Sequence, residues 1–210
     1  MTNRLFRLAA IGAVSALALA ACNQGAAEKQ PESQDNDAVN TVQDVAGAAT
    51  GLATGAQGAV STEAFLRDAA ISDMYEIEAA TLAMSRSSNS AVKAAAKKIM
   101  DDHKASSEKL KALAAANGWT LPTAMDERRK GLIDNLKGAS AADFDDRYLD
   151  QQTAAHHEGL TLFNGYAQFG DNAALKAFAA EVAPKLETHA EMVTKLDRGT
   201  NADDETGAGK

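Results

Sequence analysis

Seven residues separated by steps of three or four, Leu175, Phe178, Val182, Leu186, His189, Val193 and Leu196, commit this part of the chain to a long α-helix, because only the helical period puts all of them on one face. Six are apolar and the seventh is His189. A second stripe precedes it: Leu149, His156 and Phe163 are seven apart, with Leu160 and Ala167 beside them. The neighbouring His157 falls with Asp150, Ala154, Thr161 and Asn164 on a mostly polar face. Periodicity therefore turns His156 inward and His157 toward water.

The rest of the chain repeats this pattern. Ser61 or Thr62 reads as the cap of a helix whose stripe is Phe65, Leu66, Ala69, Ala70, Ile77, Ala80 and Met84, ending near Ser87. Asn89 or Ser90 starts a second, with Val92, Ala96, Ile99, His103, Leu110 and Leu113, closed by a left-handed Gly118. Trp119 and Leu121-Pro122 form a turn, a short helix spans Asp126 to Leu136, and Gly138 breaks it. Ser140 caps a third long helix ending near Phe169, and Gly170-Asp171 turns into the fourth, where Pro184 should remove a hydrogen bond and introduce a kink. Aromatics are only 5% of the residues and alanine is abundant, which suits slender helices and argues against a β-rich fold. The expected fold is all-α: a four-helix bundle with one crossover carrying a short extra helix, the connectivity of ferritin-like folds.

The ends of the chain are different in kind. Arg4 and Arg7 precede an apolar run from Leu8 to Ala21, and small residues lead to Cys22. Residues 1–21 read as a secretory signal, and Leu19-Ala20-Ala21-Cys22 resembles the lipobox of bacterial lipoproteins, in which the cysteine is lipidated. The apolar run is shorter than the ~20 residues a spanning helix needs. Asn23 stands where an aspartate would be associated with inner-membrane retention, so the resemblance implies the periplasmic face of the outer membrane. Residues 22–61 hold almost no large apolar side chain and read as a disordered tether, with a reach of roughly 35 Å. The folded domain is expected over 62–197 and a disordered tail over 198–210. The net charge of −8 repels phosphate backbones, which excludes nucleic acid as a natural partner; the membrane, through Cys22, is the partner the sequence names.

Along the expected domain, Phe65-Leu66, Ile77-Glu78-Ala79, Ala91-Val92-Lys93, Asp101-Asp102-His103, Gly118-Trp119, Phe144-Asp145, Tyr148-Leu149, Ala155-His156, Leu162-Phe163 and Leu186-Glu187 to His189 resemble the bacterial domain-of-unknown-function family 4142. The resemblance covers nearly all of Ser61 to Leu196. It implies a secreted or outer-membrane-associated ferritin-like helical domain and no particular reaction.

Chemistry must come from the residues. At 1.5 Å per residue, Glu76 and His103 lie at heights differing by roughly 5 Å from their shared turn, and His156 and His189 by roughly 7 Å from theirs. All four approach one layer. Glu76 shares its face with the small Ala69, Ala80 and Ala83, whereas the alternative, Glu78, lies with Ile71, Tyr75 and Leu82. Glu76, His103, His156 and His189 thus form a candidate site for a single zinc, iron, copper or manganese ion. Carboxylate-bridged di-iron sites place an acid three residues before a ligand histidine; Met100 and Leu186 stand there, which argues against such a centre. Met100 would favour copper(I) if it turned to the site, but a methionine in a stripe is more often core. Asp101, Asp102, Glu158, Glu187 and Glu191 are expected in solvent. Two readings follow: a non-enzymatic, lipid-anchored envelope module, or a metal-binding or metal-dependent redox protein built on the four residues.

Overall fold

The computed structural model describes residues 61–207, with side chains described through residue 199. The signal segment, Cys22 and almost all of the tether lie outside the described residues. Among the described residues there are five helices and no strand: α1 (Thr62–Arg86), α2 (Ser90–Asn117), α3 (Glu127–Gly138), α4 (Phe144–Phe169) and α5 (Ala173–Gly207). None of them is long and apolar enough to cross a membrane.

Local chemistry sets most of the ends. Asn89 Oδ1 accepts from the backbone N–H groups of Ala91 and Val92, supplying partners that the first turn of α2 lacks. Gly118 closes α2 at φ 69° and ψ 24°, a conformation glycine enters without a Cβ clash. Asp126 caps α3 through Arg129 N, and Asn172 caps α5 through Ala174 N and Leu175 N. Ser61 holds the cap position of α1 but its side chain makes no cap bond. Asp171 takes over part of that role, accepting from Thr62 N at 3.4 Å and from Thr62 Oγ1 at 2.5 Å, which ties the start of α1 to the α4–α5 turn.

Three boundaries differ from the sequence expectation. Ser140 does not start α4; its hydroxyl donates to Asp143 Oδ2 and accepts from Asp143 N, closing a turn ahead of a helix that begins at Phe144. The short helix α3 continues through Gly138 rather than breaking there. The last helix is continuous through Pro184 and passes Leu196 to reach Gly207, where a disordered tail was expected. Buried Val182 and Leu186 hold the turns around the proline. Beyond Leu196 no second proline intervenes, and extending an existing helix avoids the nucleation penalty.

The helices form a bundle: α1 packs on α2, α4 on α5, and the pairs meet through α2 against α5 and α1 against α4, while α3 lies against α1 and α4. Arg86, at the end of α1, locks α3 in place by donating to the carbonyls of Leu136, Lys137 and Ala139. Its guanidinium also lies 4.7 Å over the Phe144 ring. The apolar core divides in two. One cluster takes Ala79, Ala83, Val92, Ile99, Phe144, Tyr148 and Val193; the other takes Phe65, Leu66, Leu110, Phe163, Tyr166, Phe178 and Leu186. On each long helix the buried polar residues fall between these stretches: Asp73 and Glu76 on α1, His103 on α2, Gln151, Gln152 and His156 on α4, His189 on α5. A polar layer therefore crosses the middle of an otherwise apolar bundle.

Candidate metal centre

Three imidazoles occupy the centre of that layer. Ring centroids are 5.9 Å apart for His103 and His156, 5.7 Å for His103 and His189, and 5.2 Å for His156 and His189. One nitrogen from each ring lies within 4.8 Å of the other two. All three side chains are buried, 5%, 1% and 1% exposed.

Each ring is held from behind by a group that only accepts hydrogen bonds, and this fixes its tautomer. His103 Nδ1–H donates to Asp73 Oδ1 at 2.8 Å, His156 Nδ1–H to the Gln152 carbonyl at 2.8 Å, and His189 Nε2–H to Asp102 Oδ2 at 2.7 Å. The opposite nitrogens, Nε2 of His103, Nε2 of His156 and Nδ1 of His189, are buried without a hydrogen-bond partner. A buried acceptor left unpaired costs about 1–3 kcal/mol. Three of them facing a common layer, each on a ring oriented by a carboxylate or carbonyl, is the arrangement by which proteins present imidazole lone pairs to a metal.

The electrostatics favour neutral rings at two positions. Burial pulls the His189 pKa down to about 4, outweighing the raising influence of Asp102. Burial also lowers His156, against the field of Glu76. At His103 burial is again the largest single influence and acts downward, but the hydrogen bond and charge of Asp73, with Glu76 and Asp102, reverse it, so this imidazole is raised.

The four residues singled out in the sequence are all buried in this layer, but they do not form one ligand group. Among the described residues the group within ligand distance is the histidine trio; Glu76 stands outside it, 1% exposed, with Oε2 unpaired and its charge acting on His103, His156 and Tyr148. His157 is exposed. Glu78 is paired with Lys137 at 2.8 Å, away from the trio. Met100 packs against the first core cluster, with the Thr81 hydroxyl, which donates to the Ile77 carbonyl, 3.8 Å from its sulfur. Cys22, the expected lipidation site, lies outside the described residues.

The residues missed were the partners. Asp102 was expected in solvent; instead it is half-buried and holds His189, because His189 is close enough on α5 to share a carboxylate that Lys98 also binds. Asp73 was overlooked although it completes the row Ala69, Asp73, Glu76, Ala80, Ala83, which is a signal available in the spacing. Gln152 lies one turn before His156 and acts through its main chain, which no side-chain pattern announces.

A family model described as Domain of unknown function (DUF4142) matches residues 47–196, and the chain belongs to that family. No curated protein and no solved structure matches the chain.

Proposed function

We propose that this DUF4142 member is a metal-binding module of the cell envelope: a ferritin-like four-helix bundle, anchored by a lipidated Cys22 to the periplasmic face of the outer membrane, in which His103, His156 and His189 hold one divalent transition-metal ion. The observation that carries the reading is the set of three buried, partnerless ring nitrogens, on rings with nitrogens within 4.8 Å of one another. Nitrogens bound to tetrahedral zinc at about 2.0–2.1 Å stand about 3.3 Å apart, so small side-chain rotations close the remaining distance. An all-imidazole donor set suits zinc, copper, iron or nickel. Asp73, Asp102 and Glu76 surround the trio with carboxylates that offset the charge of a dication. Burial of all three rings supports retention of an ion rather than turnover of a substrate, so the role proposed is binding.

Ligand-linked stabilisation tests this directly. An ion present at 100 times its Kd should stabilise the fold by about 2.7 kcal/mol. That raises the melting temperature by roughly 6–10 °C for a domain of this size. Melts of the wild type and a His103→Ala, His156→Ala double variant, with and without zinc, copper or iron, should show the shift in the wild type alone. Equal shifts, or none in the wild type, overturn the metal site. For the anchor, Cys22→Ser should release the protein from the membrane fraction; full retention would contradict lipidation.

A further inference from the structure

We infer that Asp102 and Lys98 form the gate through which a metal ion reaches the histidines, with Asp102 as the capture ligand and the Lys98 ammonium as the cation it exchanges. This rests on the reading of His103, His156 and His189 as a metal site. Of the side chains that act on the trio, Asp73 and Glu76 are 2% and 1% exposed and are closed to solvent. The second oxygen of Asp73 is also occupied, accepting from Ser107 Oγ at 3.2 Å. Asp102 differs, because 24% of its side chain reaches water while its Oδ2 lies 2.7 Å from His189 Nε2. Among the described residues, Asp102 is a hydrogen-bond partner of the trio that also reaches solvent.

The outer side of Asp102 already holds a cation. Lys98 Nζ donates to Oδ2 at 2.8 Å, and the lysine side chain is 50% exposed. Both bonds fall on the same oxygen, so Oδ1 takes part in neither. Lys98 also lines a surface cavity of about 550 Å³ between the first turns of α2 and the later part of α5, together with Ala94, Ala95, Met192, Lys195 and Leu196. The cavity, Lys98 and Asp102 are thus consecutive steps from bulk water to the His189 ring, which Asp102 meets at Nε2 and whose Nδ1 is the unpaired nitrogen. A hydrated dication cannot cross apolar packing without replacing its water by protein oxygen. A carboxylate at the boundary supplies that oxygen. The lysine side of the pair is open to water, which screens it, so the ammonium yields to a doubly charged ion.

Stopped-flow mixing of the full-length protein with zinc, followed by competition with a zinc-responsive chelating dye, tests the gate. Asp102→Asn should slow association at least 10-fold. Lys98→Met should accelerate it at least 3-fold, while Lys97→Met, which removes the same charge one residue away from a surface pair with Asp101, should leave it unchanged. If Asp102→Asn alters only the dissociation rate, Asp102 merely orients His189 and the gate is refuted. If Lys98→Met and Lys97→Met behave alike, the effect is bulk charge and the gate is again refuted. Zinc binding that requires the histidines but ignores all three variants overturns the gate alone. Failure of the wild type to bind zinc overturns the gate together with the metal site.

Discussion

Acidifying the metal-free protein from pH 6.5 to pH 5 should remove roughly 1–2 kcal/mol of folding stability through His189 alone. The folded-state pKa of this imidazole is about 4, against 6.5 for the free side chain, because charging it inside the bundle would forfeit hydration. Between those values the unfolded chain binds a proton that the folded chain refuses, so stability present above pH 6.5 is lost as the pH falls toward 4. His156, also lowered by burial, adds in the same direction. His103 has the opposite sign: its pKa is raised, so its contribution is complete below about pH 6.5 and fades only as pH rises through the folded value. The window from 6.5 to 5 therefore isolates the two lowered imidazoles. Urea denaturation at half-unit pH intervals, in the presence of a chelator, reads the slope, and thermal melts should fall by roughly 3–6 °C. A His189→Gln variant should lose most of that slope whatever its absolute stability. A flat profile in the wild type, or an unchanged slope in the variant, would refute the argument that burial keeps these rings neutral.

Other perturbations follow from the same structure. Asp73→Asn should weaken zinc affinity 10- to 100-fold by loosening the orientation of His103, and an unchanged affinity by dye competition would remove Asp73 from that role. Leu186→Ala should cost roughly 2–5 kcal/mol in chemical denaturation, because Leu186 is buried within the second cluster; a loss under about 0.5 kcal/mol would contradict that packing. Gly118→Ala should destabilise by about 1 kcal/mol at its positive φ, whereas Gly131→Ala, in a helix with open space around it, should stabilise by roughly 0.5–1 kcal/mol. The same sign for both would refute the conformational argument.

Periodicity made the faces legible and the contacts not. The rows through His103, His156 and His189 assigned each ring inward, and three-and-four spacing also turned His157 out, as the structure has them. Asn89 and Gly118 marked the ends of α2 because capping is a local event, decided by one side chain or one φ angle. Helix height converted residue count into depth and put the candidates in one layer, yet depth says nothing of distance across the bundle. Glu76 is inward and at the right level but outside the histidine group for that reason. Asp102 was harder still: a residue on the flank of a stripe points between core and solvent, and only the approach of α5 decides which it serves. Ser140 misled because the same hydroxyl bond that caps a helix can close a separate turn before it. The tail misled because composition describes a segment alone, whereas residues beyond Leu196 inherit a helix already formed.

The most direct measurement is metal stoichiometry. Purified protein loaded with zinc, freed of excess by desalting and assayed by elemental analysis should retain one ion per chain, and the His103→Ala, His156→Ala double variant should retain none. Retention of the same amount by both proteins, or of no ion by the wild type, would contradict a metal held by the three histidines and leave them as buried core residues.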